Sequence, residues 1–191
     1  MIEILSLYCP ISNQDKLRFK SQTINKSIKK NDYILFDGDI QEELILVKKG
    51  TLMLFYDNDG KSEVIDFAYL NRFCIDIHSF SNQTVSNYCI KCMEDCELET
   101  ISYSSLQEMF DVSPGIERAY RLLLEAILAS TIKRILNQHI LSIQQRFDKL
   151  VETRPELFKI IAHKYIASYL NIDPTNFSKM YNNCANKGMR Y

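Results

Sequence analysis

The sequence predicts an α+β chain: an amino-terminal double-stranded β-helix (a jelly-roll-like β-roll), then one long helix, then a carboxyl-terminal helical domain around a helix-turn-helix with little or no wing. Three observations predict it. From Ser27 to Ser102, short apolar runs alternate with turns rich in Gly, Asn and Asp, the spacing of strands in a two-sheet roll. At Ser113-Pro114 the period changes, and from Ile116 to about His139 neither Gly nor Pro interrupts a helical pattern. Last, His163–Tyr181 reads HKYIASYLNIDPTNFSKMY, two short amphipathic stretches about a polar turn. The predicted domains are residues 1–112, 113–140 and 141–191.

In chain order, a short helical segment is expected near Asn13–Ser21, and Ser27–Phe36 reads as extended chain ended by the turn Asp37-Gly38-Asp39. Leu44–Val47 is a compact apolar strand closed by Lys48-Lys49-Gly50. Thr51–Tyr56 and Ser62–Phe67 flank Asp57-Asn58-Asp59-Gly60, a hairpin loop in which Gly60 supplies positive φ. Further strands are expected at Val85–Met93 and Glu97–Ser102. Ser113 then suits an N-cap and Pro114 a first helical residue, opening a helix of about 26 residues, roughly 39 Å long. Its apolar positions, from Ile116 and Ala119 to Ile135 and Leu136, cover more than one stripe. One flank then packs on the roll and the other on a twin helix, which predicts a homodimer through residues 113–140; a helix buried in its own monomer has the same periodicity. Ser142–Thr153 is a further helix, stopped before Pro155.

The last motif meets the steric demands of two helices crossing steeply. Ala167 is the small residue at the crossing, Asn171 tolerates the left-handed conformation, and Ile172 is a buried turn residue. Asp173 caps the second helix and Pro174 starts it, with Phe177 and Met180 facing Ile166 and Leu170. Such a unit sets its second helix, Pro174 to about Asn183, into the major groove of DNA. Any helical hairpin with a polar turn shares the pattern, so the rest of the chain has to supply the context.

Composition narrows the function classes. The chain has 191 residues, 46% hydrophobic, and formal net charge −1. Residues 141–191 hold eight Lys and Arg against four Asp and Glu, a surplus of +4 that leaves −5 for the preceding part. A basic end on an acidic body suits a DNA-binding module attached to another domain. Without a secretory leader or a bilayer-length apolar run, a cytoplasmic protein with reduced thiols and no membrane association is expected. Cys89, Cys92 and Cys96 are read as buried small hydrophobes and not as metal ligands, since Cys89 and Cys92 point to opposite faces of a strand. His78, His139 and His163 cannot cluster in the roll as a metal oxygenase would require. No nucleophile motif or phosphate-cradling loop appears, so no enzyme, metal or cofactor is expected.

A β-roll, a long helix and a helix-turn-helix in this order resemble the Crp/Fnr family of bacterial transcription regulators. The resemblance covers nearly the whole chain. It rests on Asp37-Gly38-Asp39, Val47-Lys48-Lys49-Gly50, Phe73–Phe80 in the place of the ligand cassette, and Tyr165-Ile166-Ala167-Ser168-Tyr169-Leu170. That hexapeptide with Phe177-Ser178-Lys179-Met180 is similar to the Bacteroidetes-type subgroup. The resemblance implies a dimer on a two-fold symmetric operator of double-stranded DNA, contact with RNA polymerase, and an effector acting through the long helix.

It also implies where an effector and DNA would be met. In members that bind cyclic AMP, a Gly-Glu pair holds the ribose and a later Arg neutralises the cyclic phosphate. The corresponding pairs here are Ile75-Asp76 and Ser86-Asn87, which remove both the Gly and the cation. A hydroxyl does not replace a charge-assisted, often bidentate Arg–phosphate contact, so binding of cyclic AMP is not expected. Asp76, Ser79, Ser86 and Asn87 are candidates for lining a pocket for a less anionic small-molecule effector, or are ordinary strand and loop polars. For DNA, Thr175, Asn176 and Lys179 are the candidates for base edges, and Ser178, Lys164 and Asn182 for phosphates. Pro174 and Thr175 stand where well-known members carry Arg and Glu, and little chain follows for a wing. The alternative is therefore a small-ligand sensor or interaction protein whose helix-turn-helix has decayed and no longer binds DNA.

Overall fold

The structure is a computed structural model that describes residues 1–186. Lys187 and Arg190 of the basic surplus, and the stretch in which a wing would fall, lie outside the described residues. The chain divides into two compact units, Met1–Leu54 with Phe67–Ser130, and Phe55–Asp66 with the chain from Thr131 onward.

The first unit opens with α1 (Ile2–Leu5) and α2 (Asn13–Gln22), the latter capped by Ser12, whose hydroxyl accepts from the Asp15 amide at 3.1 Å. The strands are β1 (Ile24–Ile28), β2 (Tyr33–Leu35), β3 (Glu43–Lys49), β4 (Leu52–Asn58), β5 (Lys61–Ala68) and β6 (Phe73–Cys74). After α3 (Ile77–Asn82) come β7 (Cys89–Cys92) and β8 (Cys96–Ser102). They form two four-stranded sheets, in the orders β1-β8-β3-β6 and β2-β7-β4-β5. In the first sheet β3 lies antiparallel to β8, with Leu44 opposite Ile101 and Val47 opposite Leu98.

Why Leu44–Val47 reads as an unbroken apolar run is clear from the packing. Successive side chains of a strand face opposite ways, and here both faces are covered. Leu44 and Leu46 pack with Ile2, Leu5 and Phe19 from α1 and α2, while Ile45 and Val47 pack with Ile90, Cys92 and Leu98 from the strands. After β3 the chain turns at Gly50, with φ +88°, where a Cβ would lie 2.6 Å from the Cys96 sulfur and 2.7 Å from the Asp95 carbonyl. No other residue fits both that conformation and that space.

Several sequence expectations are corrected. The run Ser27–Phe36 is two strands, since Asn31 turns the chain with φ +73°. The strand expected at Val85–Met93 is confined to β7; Val85 makes only an isolated bridge with Ile40. The helices α1 and α3 and the short one at Leu157–Ile160 went unforeseen, as did α4 (Tyr103–Val112), which is capped by Ser102 and buries Leu106 and Met109. Because α4 runs directly into α5 (Pro114–Ile140), Ser113 is the C-cap of one and precedes the other. Its carbonyl accepts from Ile116 and Glu117, but its buried hydroxyl has no partner among the described residues, so it is not the expected side-chain cap.

The first turns of α5 bury Ile116, Ala119, Tyr120 and Leu123 against the roll. Burial drives the Tyr120 phenol up to about 12. From Leu128 on, the apolar positions are open: Leu128 is 59% exposed, Ile132 50%, Leu136 53% and Ile140 72%.

In the second unit follow α6 (Ile143–Thr153), α7 (Leu157–Ile160), α8 (His163–Leu170) and α9 (Pro174–Asn186). Ser142 and Gln145 close a reciprocal capping box on α6. The core is aromatic, Phe147 meeting Phe158 edge-on at 5.7 Å and Phe177 at 5.5 Å between ring centroids. No helix among the described residues is long and apolar enough to cross a membrane.

Candidate nucleic-acid interface

The geometry at the α8–α9 junction follows from four residues. Asn171 is left-handed, with φ 51° and ψ 54°. Its amide bonds the Ser168 carbonyl and the Ile172 amide bonds that of Ala167, each at 2.9 Å, which satisfies the carbonyls at the end of α8. Asp173 then takes the free amides of the next helix: its Oδ1 accepts from Thr175 at 2.9 Å and from Asn176 at 3.2 Å. Ala167 is buried, as a close helix crossing requires.

This arrangement sorts α9 into two faces. Phe177 is fully buried with Ile166, Leu170 and Ile172. Met180, expected beside it, is only half-buried; Tyr181 takes up the packing, with its ring 4.1 Å from that of His163 and stacked on Phe177. Thr175, Asn176, Ser178, Lys179 and Asn182 are all exposed, three and four residues apart along one side of the helix. The Ser178 hydroxyl donates back to the Pro174 carbonyl at 2.9 Å, which leaves it an acceptor toward the outside. Lys164, on the first turn of α8, is exposed with its ammonium 4.7 Å from the Tyr165 ring. The face of α9 therefore offers the Lys179 ammonium with amides and hydroxyls in helical register, and Lys164 stands on α8, groups that suit base edges and phosphates.

The second set of candidates lies in the roll. Asp76 is 6% exposed and caps α3: Oδ1 accepts from His78 at 3.1 Å and Ser79 at 3.3 Å, and Oδ2 accepts from the Ser86 hydroxyl at 2.7 Å. Ser79 donates to the Thr84 carbonyl at 2.7 Å and accepts from the Gln41 amide at 2.9 Å. Gln41, which sequence reading missed, binds the group together: its side-chain oxygen accepts from the Asp76 amide at 2.7 Å and its nitrogen donates to the Glu43 carbonyl at 2.9 Å. A single Gln beside a strand carries no periodic signal that would have singled it out. The structure thus brings Asp76, Ser79 and Ser86 into one buried network and leaves Asn87 exposed outside it. Their polar groups are spent on one another.

Cys74, Cys92 and Cys96 are packed among the aliphatic residues of the roll. The Cys96 thiol donates to the Glu94 carbonyl at 3.3 Å; its proximity and burial raise Cys92 above the ordinary thiol range, and the neighbouring Cys92 lowers Cys96. Among the described residues, no three His, Cys, Asp or Glu side chains are disposed to hold a metal ion.

Residues 25–113 match the family model described as the cyclic nucleotide-binding domain. No curated protein matches the chain. Among solved structures, the chain superimposes on the c-di-GMP responsive global regulator CLP of Xanthomonas campestris with a TM-score of 0.70, at 16% identity over 94% of this chain and 95% of that one. FixK2 of Bradyrhizobium japonicum gives 0.71 at 13% identity, covering 87% and 86%. A crp/fnr family protein of Eubacterium rectale gives 0.70 at 18%, covering 96% and 89%. The chain has the Crp/Fnr fold. In the terms of that fold, the roll with its self-bonded Asp76 network is the amino-terminal β-domain, α5 is the long helix that follows it, and α8–α9 is the carboxyl-terminal helix pair.

Proposed function

We propose that the chain is a DNA-binding transcription regulator of the Crp/Fnr type, without catalytic activity, acting in the cytoplasm as a homodimer on a two-fold symmetric operator. The observation that carries this reading is the face of α9: a helix capped by Asp173, seated on α8 by Phe177, with Thr175, Asn176, Lys179 and Asn182 all exposed along one side. Thr175, Asn176 and Lys179 meet base edges, and Ser178, Lys164 and Asn182 meet phosphates. The open aliphatic stripe from Leu128 to Ile140 supplies the dimer contact within the helix 113–140, between a sensor domain 1–112 and a reader domain 141–191. RNA polymerase is the protein partner such a dimer addresses from the operator.

The roll is not a cyclic-nucleotide receptor in this reading. Ser86 stands in place of the phosphate-binding cation, and its hydroxyl is held by Asp76 at 2.7 Å. An effector at Asp76, Ser79, Ser86 and Asn87 would have to displace bonds these groups already make to one another and to the backbone. Selection of bound duplexes from random DNA tests the main claim. A two-fold symmetric consensus, with half-sites about one helical turn or a multiple of it apart, is expected. Enrichment of no sequence would instead favour an interaction protein with a decayed helix-turn-helix.

A further inference from the structure

Strand β5 ends the order of its sheet, so its outer edge has no strand neighbour to take up the backbone groups. On that edge one side chain does a strand's work. The Ser168 hydroxyl, on α8, accepts from the Val64 amide at 2.9 Å and faces the Ser62 carbonyl at 3.2 Å. The Glu63 carboxylate lies 3.3 Å away as a second acceptor for the same proton, and this bond and the closer Lys61 hold that carboxylate below the usual range, Lys61 contributing more. A carbonyl and an amide two residues apart on one strand point the same way, and in a parallel ladder a single neighbouring residue bridges them. Ser168 reproduces that bridge with one oxygen. Val64 is itself buried, so without Ser168 its amide would lose its acceptor away from water.

Two further ties lie in the same compact unit. The Arg154 guanidinium is 3.7 Å from the Asp66 carboxylate, and the Arg134 guanidinium lies 6.0 Å from the Tyr169 ring centroid. The hairpin Phe55–Asp66 is therefore built into the helical unit and fastened to the first helix of the pair, on a side that leaves the polar face of α9 open.

We propose that Ser168 is a positioning residue for DNA recognition: by bridging Ser62 and Val64 it docks the β4–β5 hairpin on α8 and holds the helix pair in the orientation that reads the operator. This rests on the DNA-binding reading above, and it adds a residue that touches no DNA. The hydroxyl is the working group, so Ala and Thr separate the alternatives.

The test uses the full chain as wild type, Ser168→Ala and Ser168→Thr. Amide hydrogen exchange and affinity for the duplex selected by the wild type are both measured. In Ser168→Ala the Val64 amide should exchange at least about tenfold faster, as expected for a buried N–H that has lost its acceptor. Amides of the β3–β8 ladder, such as Leu44 and Ile101, should keep their protection and so report an intact roll. Operator affinity should fall by about tenfold in Ser168→Ala and return to within about threefold of wild type in Ser168→Thr. Unchanged Val64 exchange in Ser168→Ala would overturn the bridge. Faster exchange with full operator affinity, or equal losses in the Ala and Thr variants, would overturn the positioning role. A wild-type chain that enriches no sequence overturns the DNA-binding reading itself, and the positioning role with it, while Val64 exchange still decides whether the bridge exists.

Discussion

Asn171 and Asp173 show how much a few side chains decide at this site. The left-handed turn at Asn171, φ 51°, ends α8, and two residues later the Asp173 carboxylate collects the first amides of α9. Both roles were legible in the sequence, since each depends on what a side chain permits its own backbone to do. The cation on the α9 face is Lys179, exposed one turn beyond Thr175. Lys179→Ala should weaken binding to the selected operator by about 1–3 kcal/mol and alter base preference. A fluorescence-anisotropy titration giving the same affinity as wild type would remove Lys179 from the interface. Met180 and Tyr181 mark the limit of residue-level reading. Helical spacing puts either near the packing face, and only the rings of Phe158, Phe177 and His163 decided that Tyr181 should lie there.

Among the elements, α5 is the one whose sequence has two uses along its length. Its first turns lie on the roll through Ile116, Ala119 and Leu123, and from Leu128 to Ile140 its aliphatic side chains face outward. A run of exposed aliphatics at three- and four-residue spacing fits a second copy of the same helix. Replacing both Ile132 and Leu136 with Glu should therefore convert a dimer into a monomer, read by sedimentation velocity at micromolar protein. Persistence of the dimer would place the interface elsewhere. The long helix was plain in the sequence because nothing breaks its pattern from Ile116 to His139. By contrast, α3 and α4 were hidden, being short and lying directly between strand signals or against another helix. What made them helices was capping by Asp76 and Ser102 together with burial of Phe80, Leu106 and Met109 in the roll. Propensity over so few residues is too weak to announce them.

For the whole molecule, residues 25–113 match a family model named for cyclic nucleotides, while the polar network of the roll is internally satisfied. Titration calorimetry with cyclic AMP and cyclic GMP should give no binding heat at millimolar ligand; micromolar affinity for either would overturn the reading of Ser86 and Ile75. By itself the sequence determined the order of the parts: a roll of strands, a long helix, a capped helix pair with one polar and one apolar face. It could do so because alternation, capping and turn chemistry are local properties of the chain. Tertiary structure alone decided that Gln41 would bind Asp76 and that the polar residues of the roll would satisfy one another. It decided as well that Ser168 would serve the edge of β5, more than a hundred residues earlier. Those pairings join groups far apart in the chain, and a hydrogen bond leaves no period in the sequence; it exists only once the fold has brought donor and acceptor within reach.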